Sequence, residues 1–589
     1  MGVSKMTTYI NKKQSTLLKK IMLQLIFLAL SYLSVYIFSS KGYFYGGGDI
    51  KFHLSRITEL TNAIQNHNNL LAPFSFSSFR NVGAVSQQFY PNITLLPFAL
   101  LRIVFPHPLL AFYIGIIIYT YLGFIVGYYA MMRFTGNNVL QSVCFAVLFN
   151  FSVYHLTDIF NRFDIGEWIA LSFFPLAFLG AYELFFRNWH SWYLAAIGLT
   201  LIAYSHVLST LLALSVCFLF AIIACYCKTG DLHARAKAAL KASLLTLGMT
   251  LFEIVPMIVL SVQNKIHFPR KYNLLRSPGG KLPDIFSFIG LCLKNQLNMS
   301  LGIFVLLIII AGVIYWKKMP KLYQVSLGLT ILFTVVTTTI FPWGLFQHTP
   351  VAVIQFPWRL LGIAAFFMAL TGSWLLEYLC TTPFFSRLNF EWIVCVAILI
   401  AAFPGLCAAY SSHAYEVQTY QFIKHAKEEN THARFILPGK YYYSYFSNMN
   451  NTAAHTDYYP QKAYAQRYSI LHNLIYKADG STQRMPPFNF THNHLSFKLY
   501  SSKKQLMNLP LLHYFGDYYE LSVNGHVQQI RQSTRGTFLV NVAKGKNTIK
   551  ITLKNKPYRT VLQLFALVLW LLTCFLLFKY KHTHKNLIS

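Results

Sequence analysis

Close behind the first long apolar segment the chain reads Gly46-Gly47-Gly48-Asp49-Ile50-Lys51-Phe52-His53-Leu54-Ser55-Arg56-Ile57. A helix beginning near Asp49 places Asp49, His53 and Arg56 on one face, at i, i+4 and i+7, and Ile50, Leu54, Ile57 and Ile64 on another. The pattern predicts a helix lying along a membrane surface, apolar side down, offering an acid, an imidazole and a guanidinium to whatever sits above it. Helix capping by Asp49 would account for the acid alone, not for His53 or Arg56. Six acids precede Asp231: Asp49, Glu59, Asp158, Asp164, Glu167 and Glu183. Carboxylates near a bilayer are costly and are usually kept for a purpose. Asp164 and Glu167, at i and i+3, can share a helical face; with Asp49 they can serve as a general base or hold a hard divalent cation through oxygen. The plainer reading is that they cap a helix or pair with Arg162. His206 falls at a break between two half-length apolar runs, as a polar hinge or a substrate ligand. Arg359 follows Pro357-Trp358 at a membrane boundary, where it can snorkel or grip a lipid phosphate with both arms of its fork.

The elements that must position these groups follow from composition. Of 589 residues, 55% are hydrophobic and 12% charged, against about 25% charged in a soluble globule. Mean hydropathy is +0.43, and apolar runs near the length needed to cross a bilayer recur throughout, so the chain is a polytopic helical membrane protein. Fifty basic residues against 18 acidic ones fit headgroup anchoring and the positive-inside bias. There is no soluble basic domain, so no nucleic-acid partner is expected. The nine cysteines lack metal-ligand or disulfide spacing and read as small core residues.

About twelve spans are expected, near 21–38, 108–131, 138–156, 167–186, two short ones within 191–227 that turn at Ser205-His206, then 240–260, 299–316, 322–341, 359–379, 391–410 and 559–578. Basic turns put both termini in the cytoplasm and the loop 40–107 outside. Within that loop the Pro91–Pro97 stretch leads an apolar run too short and Pro-broken for a span. The outer loop 261–298 carries Arg270, Lys271, Arg276 and Lys281 against the charge rule, so either it is translocated regardless or its cations face a phosphate. The domain plan is a membrane domain over 1–410, an extracytoplasmic soluble domain over 411–558, and a last span with a basic inner tail over 559–589. Alternation in Tyr519–Val523 and Thr548–Leu553, with turn signals at Asn524-Gly525 and Lys544–Asn547, predicts a small β-sandwich over about 495–555. The tyrosines Tyr441, Tyr442, Tyr443, Tyr445, Tyr458 and Tyr459 supply core and interface, or stack on sugars.

The segments Gly48–Ile57, Arg162–Glu167 with Pro175-Leu176, and Gln355-Phe356-Pro357-Trp358-Arg359 resemble bacterial membrane proteins named after a domain related to pyruvoyl-tetrahydropterin synthase. The resemblance covers roughly 20–580, and no zinc-binding His triad of a soluble pterin synthase is visible. These proteins are in turn similar to the glycosyltransferase C superfamily, which takes sugars from polyprenyl-phosphate donors. The resemblance implies a GT-C-like, mainly α fold and a catalytic acid in the first outer loop, which maps to Asp49. Some relatives carry two acids around one residue where this chain has Asp49-Ile50-Lys51. On this reading Asp49, Asp164 and Glu167 are the catalytic set. His53, Arg56, Arg162, His206 and Arg359 bind substrate, and a divalent cation is an open question. The expected function is sugar transfer from a lipid-linked donor to a cell-envelope glycan at the outer face of the cell membrane, among membrane lipids. The alternative is a non-catalytic translocator or assembly factor for envelope polysaccharide, which should place its ionisable groups near mid-bilayer and show paired repeats.

Overall fold

The computed structural model describes residues 2–585 apart from 41, 106, 270, 278–279, 383–388, 420, 423–434 and 439–454. Among the described residues, eight helices are long and apolar enough to cross a membrane. They are Leu17–Ser39, Pro108–Phe134, Ile165–Phe186, Val207–Tyr226, Leu232–Gln263, Pro357–Cys380, Phe390–Ala414 and Pro557–Phe578. Val139–Asn150 and Val153–Arg162, bent by 41° at Phe151-Ser152, make a ninth if taken together. Of the two short spans expected within 191–227, Trp192–Ala203 is short at 12 residues, whereas Val207–Tyr226 has 20 and is full length; two further expected spans are shorter than the sequence suggests, Ile303–Ile314 with 12 residues and Lys321–Val336 with 16. At about 1.5 Å per residue the three short helices reach roughly 18–24 Å, short of a hydrocarbon core of about 30 Å. Breaks at Tyr204–His206, at Gly302 and at Thr337-Thr338 limit them. The Pro357–Cys380 helix runs through the centre, buried almost from end to end, whereas Pro557–Phe578 stands at the edge with most side chains exposed. Cys225, Cys227, Cys395 and Cys574 are exposed, so the expectation that every cysteine is a core residue does not hold: these four lie on the outer sides of apolar helices.

The Asp49 helix, Ile50–Gln65, corrects another expectation. It does not lie on a lipid surface, because both of its faces are buried in protein. Ile50, Leu54, Ile57 and Leu60 join the membrane-domain core. Phe52 joins a second core shared with the β-sheet domain, alongside Phe74, Phe76, Phe79 and Tyr519. The helix is thus the seam between the two parts. A polar face that looked solvated in sequence is covered by the rest of its own loop and by the domain packed on it. Direct bonds fasten that docking: Asn68 Nδ2 donates to the Phe490 carbonyl at 3.1 Å, and the Asn493 and Leu512 amides donate to Asn68 Oδ1 at 2.7 Å and the Val82 carbonyl at 2.8 Å.

The soluble domain is a sandwich of two five-stranded sheets. One orders Arg531–Gln532, Thr537–Val542, Gln505–Leu512, Leu474–Lys477 and Thr482–Arg484; the other orders His526–Gln528, Tyr519–Val523, Gly545–Leu553, His494–Ser501 and Asn489–Thr491. The strands of the sandwich therefore begin at Leu474, earlier than the alternation alone indicated, because Leu474–Lys477 and Thr482–Arg484 are too short to show a period. Asn524-Gly525 is the hairpin turn the sequence predicts, with φ positive at both residues (53° and 83°) and Val523 paired with His526. The Lys544–Asn547 turn instead carries the chain from one sheet to the other, held by Asn547 Nδ2 on the Ala543 carbonyl at 2.8 Å. Tyr458 stacks on Phe89 at 4.5 Å and Tyr459 is buried; Tyr441, Tyr442, Tyr443 and Tyr445 lie outside the described residues.

Candidate functional site

Four chain segments meet at one charged cluster. Gly48 and Asp49 arrive from the first loop; Gly48 adopts φ +50°, and a side chain there would run into the Arg162 carbonyl. Asp49 N–H donates to that carbonyl at 2.9 Å. The second segment is a π-helical turn, Asp158–Arg162, closed by Phe163 in the left-handed region at φ 56°. Such single wide turns re-aim side chains and recur at functional sites. Asp164 then caps the Ile165–Phe186 helix, its carboxylate accepting from Glu167 N at 3.1 Å, and Glu167 follows in the first turn. His206 caps Val207–Tyr226, and Arg359 comes from the turn that opens the central helix.

The contacts are dense. Arg162 pairs with Asp158, with Asp164 Oδ2 at 3.2 Å and with Glu167 Oε2 at 3.1 Å, while its guanidinium lies 4.2 Å over the Trp358 ring. Arg359 donates to Glu167 Oε2 at 2.6 Å and to Gln355 Oε1 at 3.2 Å, with Asp164 Oδ2 at 3.9 Å. Tyr154 donates to Glu167 Oε1 at 2.6 Å, and Tyr90 to Asp164 Oδ1 at 2.7 Å. Arg56 Nη1 faces His53 Nδ1 at 3.3 Å; an arginine can only donate, so Nδ1 accepts and the His53 proton sits on Nε2, 3.5 Å from Asp164 Oδ1.

Burial lowers His53 below its ordinary range, against the pull of Asp164. Burial also pushes His206 down to about 4, so it is an uncharged imidazole at neutral pH. Burial alone would raise the Asp164 carboxyl, but the groups facing it, His206, His53 and Arg162, reverse that and hold it well below the usual carboxylate range. With His206 neutral, Arg162 and the donors His53 and Tyr90 keep Asp164 ionised.

Asp49 differs from every other acid in the cluster. It occupies the N-cap position of its helix, yet its side chain makes no capping bond and no other hydrogen bond or ion pair with a described residue. It is exposed, whereas Asp158, Asp164 and Glu167 are buried. The protein packed close around it raises its carboxyl even though its outer edge meets solvent, Asp164 adds to this, and His53, Arg162 and Arg359 oppose it. The arrangement is a solvent-facing carboxylate without a side-chain partner, close to fixed guanidinium groups.

The eight residues singled out from sequence therefore gather in one place. Arg56 is fully buried and occupied, donating to Gln87 Oε1 at 3.1 Å, to the Tyr90 carbonyl at 2.8 Å and to the Pro91 carbonyl. Sequence reasoning left out Tyr90 and Tyr154, and it gave no role to Gln355 and Trp358 although both lie in the Gln355–Arg359 segment it singled out. It counted Asp158 as an acid without placing it here, although its i, i+4 spacing to Arg162 was the available signal. Nothing local marks Tyr90 or Tyr154. Among the described residues one group could hold a metal ion, Asp164, Glu167 and His206, whose ligand atoms lie within 4.8 Å of one another. Its chemistry argues against that use, since Glu167 Oε2 already receives both Arg162 and Arg359. His206 Nδ1 is already engaged, 2.8 Å from the Ser209 hydroxyl and 3.3 Å from the Ser209 amide. An added cation would face two fixed positive charges.

A family model described as 6-pyruvoyl-tetrahydropterin synthase related domain; membrane protein, matches residues 87–412. A search of curated proteins returns no match. Solved structures that align include the arabinofuranosyltransferase AftD from Mycobacteria, at 15% identity and TM-score 0.39 over 68% of this chain and 29% of that one. The oligosaccharyltransferase of Archaeoglobus fulgidus aligns in its apo form at 15% identity and TM-score 0.37, over 74% and 60%. Its complex with an inhibitory peptide and a dolichol-phosphate aligns at 15% and 0.36, over 74% and 61%. The chain thus spans less than a third of the first and about three-fifths of the second.

Proposed function

The chain belongs to the membrane proteins of the 6-pyruvoyl-tetrahydropterin synthase related family, and we propose that it is a glycosyltransferase working at the membrane face that carries the β-sheet domain. In this reading it moves a sugar from a polyprenyl-phosphate carrier to a cell-envelope glycan, with both termini cytoplasmic and that face extracytoplasmic. The observation that carries the reading is the free, exposed Asp49 carboxylate beside a buried arginine–carboxylate cluster.

An acceptor hydroxyl bound over Asp49 gives up its proton to the carboxylate as its oxygen bonds the anomeric carbon. The bond from that carbon to the carrier phosphate breaks, and the phosphate leaves with the electron pair. The charge on the departing phosphate is met by Arg359, whose Nε lies buried without a partner. Asp164 and Glu167 hold Arg162 and Arg359 in position, and the neutral His206 sits beside them as a donor. Buried pairing of this kind preorganises a site so that little reorganisation is left for the reaction itself. No step requires a metal.

The translocator reading has no observation in its favour, since the charged groups cluster at the seam with the soluble domain. The reading is tested in cells by comparing envelope-glycan composition with the protein present, absent, or carrying Asp49→Asn. Loss of one glycan component in both the absent and Asn backgrounds supports it; glycan at normal level in both refutes it.

A further inference from the structure

The loop that breaks the positive-inside rule is not used by the site, and its structure points to a separate role. The described residues of 264–284, which leave out 270 and 278–279, form a strap on the same face as the β-sheet domain. At one end Asn264 exchanges bonds with Phe515, its Oδ1 accepting at 2.8 Å and its Nδ2 donating at 3.1 Å, and the His267 ring stacks on Tyr464 at 3.4 Å. At the other end Gln347 ties the strap down, with Oε1 accepting from Leu274 N at 2.8 Å and Nε2 donating to the Tyr272 carbonyl at 3.0 Å. Tyr272 packs on Phe356 at 4.6 Å, and Phe356 stacks on the Trp358 that lies under Arg162. The strap therefore borders the site without entering it.

Its charge is one-sided. From residue 254 to 283 there is no acid. Lys265, Lys271, Arg276 and Lys281 are exposed, and none makes an ion pair or side-chain hydrogen bond with a described residue. The nearest acid, Asp284, is taken by its own helix, accepting from Phe286 N at 2.9 Å, Ser287 N at 3.0 Å and Ser287 Oγ at 2.6 Å. Arg276 and Lys281 stand directly opposite each other across a two-residue antiparallel ladder. Like charges in that position repel and weaken a hairpin unless an anion lies between them. Leu275, next to Arg276, is exposed, as are Phe286, to 82%, Leu345 and Val353. The Thr339 amide, just past a membrane helix, donates to the Pro283 carbonyl at 3.0 Å, which sets the strap at the level where apolar helices end. Cations interleaved with exposed apolar side chains at that level match the headgroup zone of a bilayer, whereas a soluble polyanion would leave the apolar residues in water.

We propose that the strap is a phosphate clip for an anionic phospholipid headgroup, with Arg276 and Lys281 on either side of the phosphate and Lys271 beside them. It would enrich anionic lipid at the rim of the site, and it holds whatever reaction the site performs. The test uses the full-length protein in nanodiscs of mixed phosphatidylcholine and phosphatidylglycerol, extracted and analysed for retained lipid by native mass spectrometry. Wild-type protein is expected to retain phosphatidylglycerol preferentially. The Arg276→Gln/Lys281→Gln protein should lose about fivefold of that preference per cation removed, roughly 30-fold for the pair. Relief of the like-charge pair should leave its melting temperature at or above wild type. In wild type the preference should vanish at about 1 M salt, where screening reaches within about 3 Å. Equal retention by both proteins, or a preference that survives such salt, overturns the proposal. So does binding of soluble polyphosphate that needs Arg276 and Lys281 without any selection between the two lipids.

Discussion

Substituting Glu59 by Gln isolates one buried charge beneath the site. Glu59, 7% exposed, binds the returning first loop: its oxygens accept from Phe76 N at 3.3 Å, Ser77 N at 3.0 Å and Ser78 Oγ at 2.7 Å. Burial raises its carboxyl from 4.5 to about 7, against those same hydrogen bonds. An acid raised on folding holds its proton more tightly in the native chain. Its contribution is intact below about pH 4.5, where both states are protonated, and declines as pH rises towards 7, where only the opened chain has released its proton. At roughly 1.4 kcal/mol per pH unit the loss totals about 3 kcal/mol, or on the order of 10²-fold in the local opening equilibrium. Gln cannot ionise; its oxygen can take the amides and its NH₂ can reach Ser78 Oγ. Hydrogen-exchange mass spectrometry on peptides covering 72–82, corrected for the intrinsic pH dependence of exchange, should show wild-type protection falling on that scale between about pH 4.5 and 7.5. In Glu59→Gln it should stay level and exceed wild type at the upper end. Parallel profiles for the two proteins would refute the assignment.

Gly48→Ala forces a left-handed φ on a residue whose methyl meets the Arg162 carbonyl. It should cost at least about 1–2 kcal/mol and abolish function with Asp49 intact; a protein with wild-type melting and activity would contradict the geometry. Tyr90→Phe removes the 2.7 Å donor to Asp164, a bond to a charged group worth about 1.5–3 kcal/mol, so the melting temperature should fall by several degrees, and an unchanged value would count against it. Because Arg162 and Arg359 already satisfy Glu167, neither EDTA nor added Mn²⁺ should shift the melting temperature; a reproducible rise with the metal would show that the carboxylates prefer it to the arginines.

Sequence made the membrane class legible because apolar length is a local property, and some helices are shorter than expected for the same reason: composition shows where a run is greasy, not where Gly302 or Thr337 ends the helix. The gathering of Asp49, Asp164, Glu167, His206 and Arg359 could be anticipated because charged groups beside apolar helices are few. The setting of the Asp49 helix could not be read, since a polar face buried against a folded-back loop has the same periodicity as one in water. Nor could the state of Arg56, whose acceptors are mostly a side-chain amide and backbone carbonyls some 30 residues away. Tyr90 and Tyr154 act through tertiary contacts with no spacing to betray them.

The central claim is that Asp49 accepts the acceptor's proton. Wild-type and Asp49→Asn proteins in nanodiscs are incubated with a panel of polyprenyl-phosphate-linked sugars and an envelope-glycan extract, and release of free polyprenyl phosphate is measured. The side chain of Asp49 does not cap its helix, so Asn should fold and melt like wild type. Release should fall by about 10²–10⁴-fold with the carboxylate gone. Release at the wild-type rate from a normally folded Asp49→Asn protein would contradict the account.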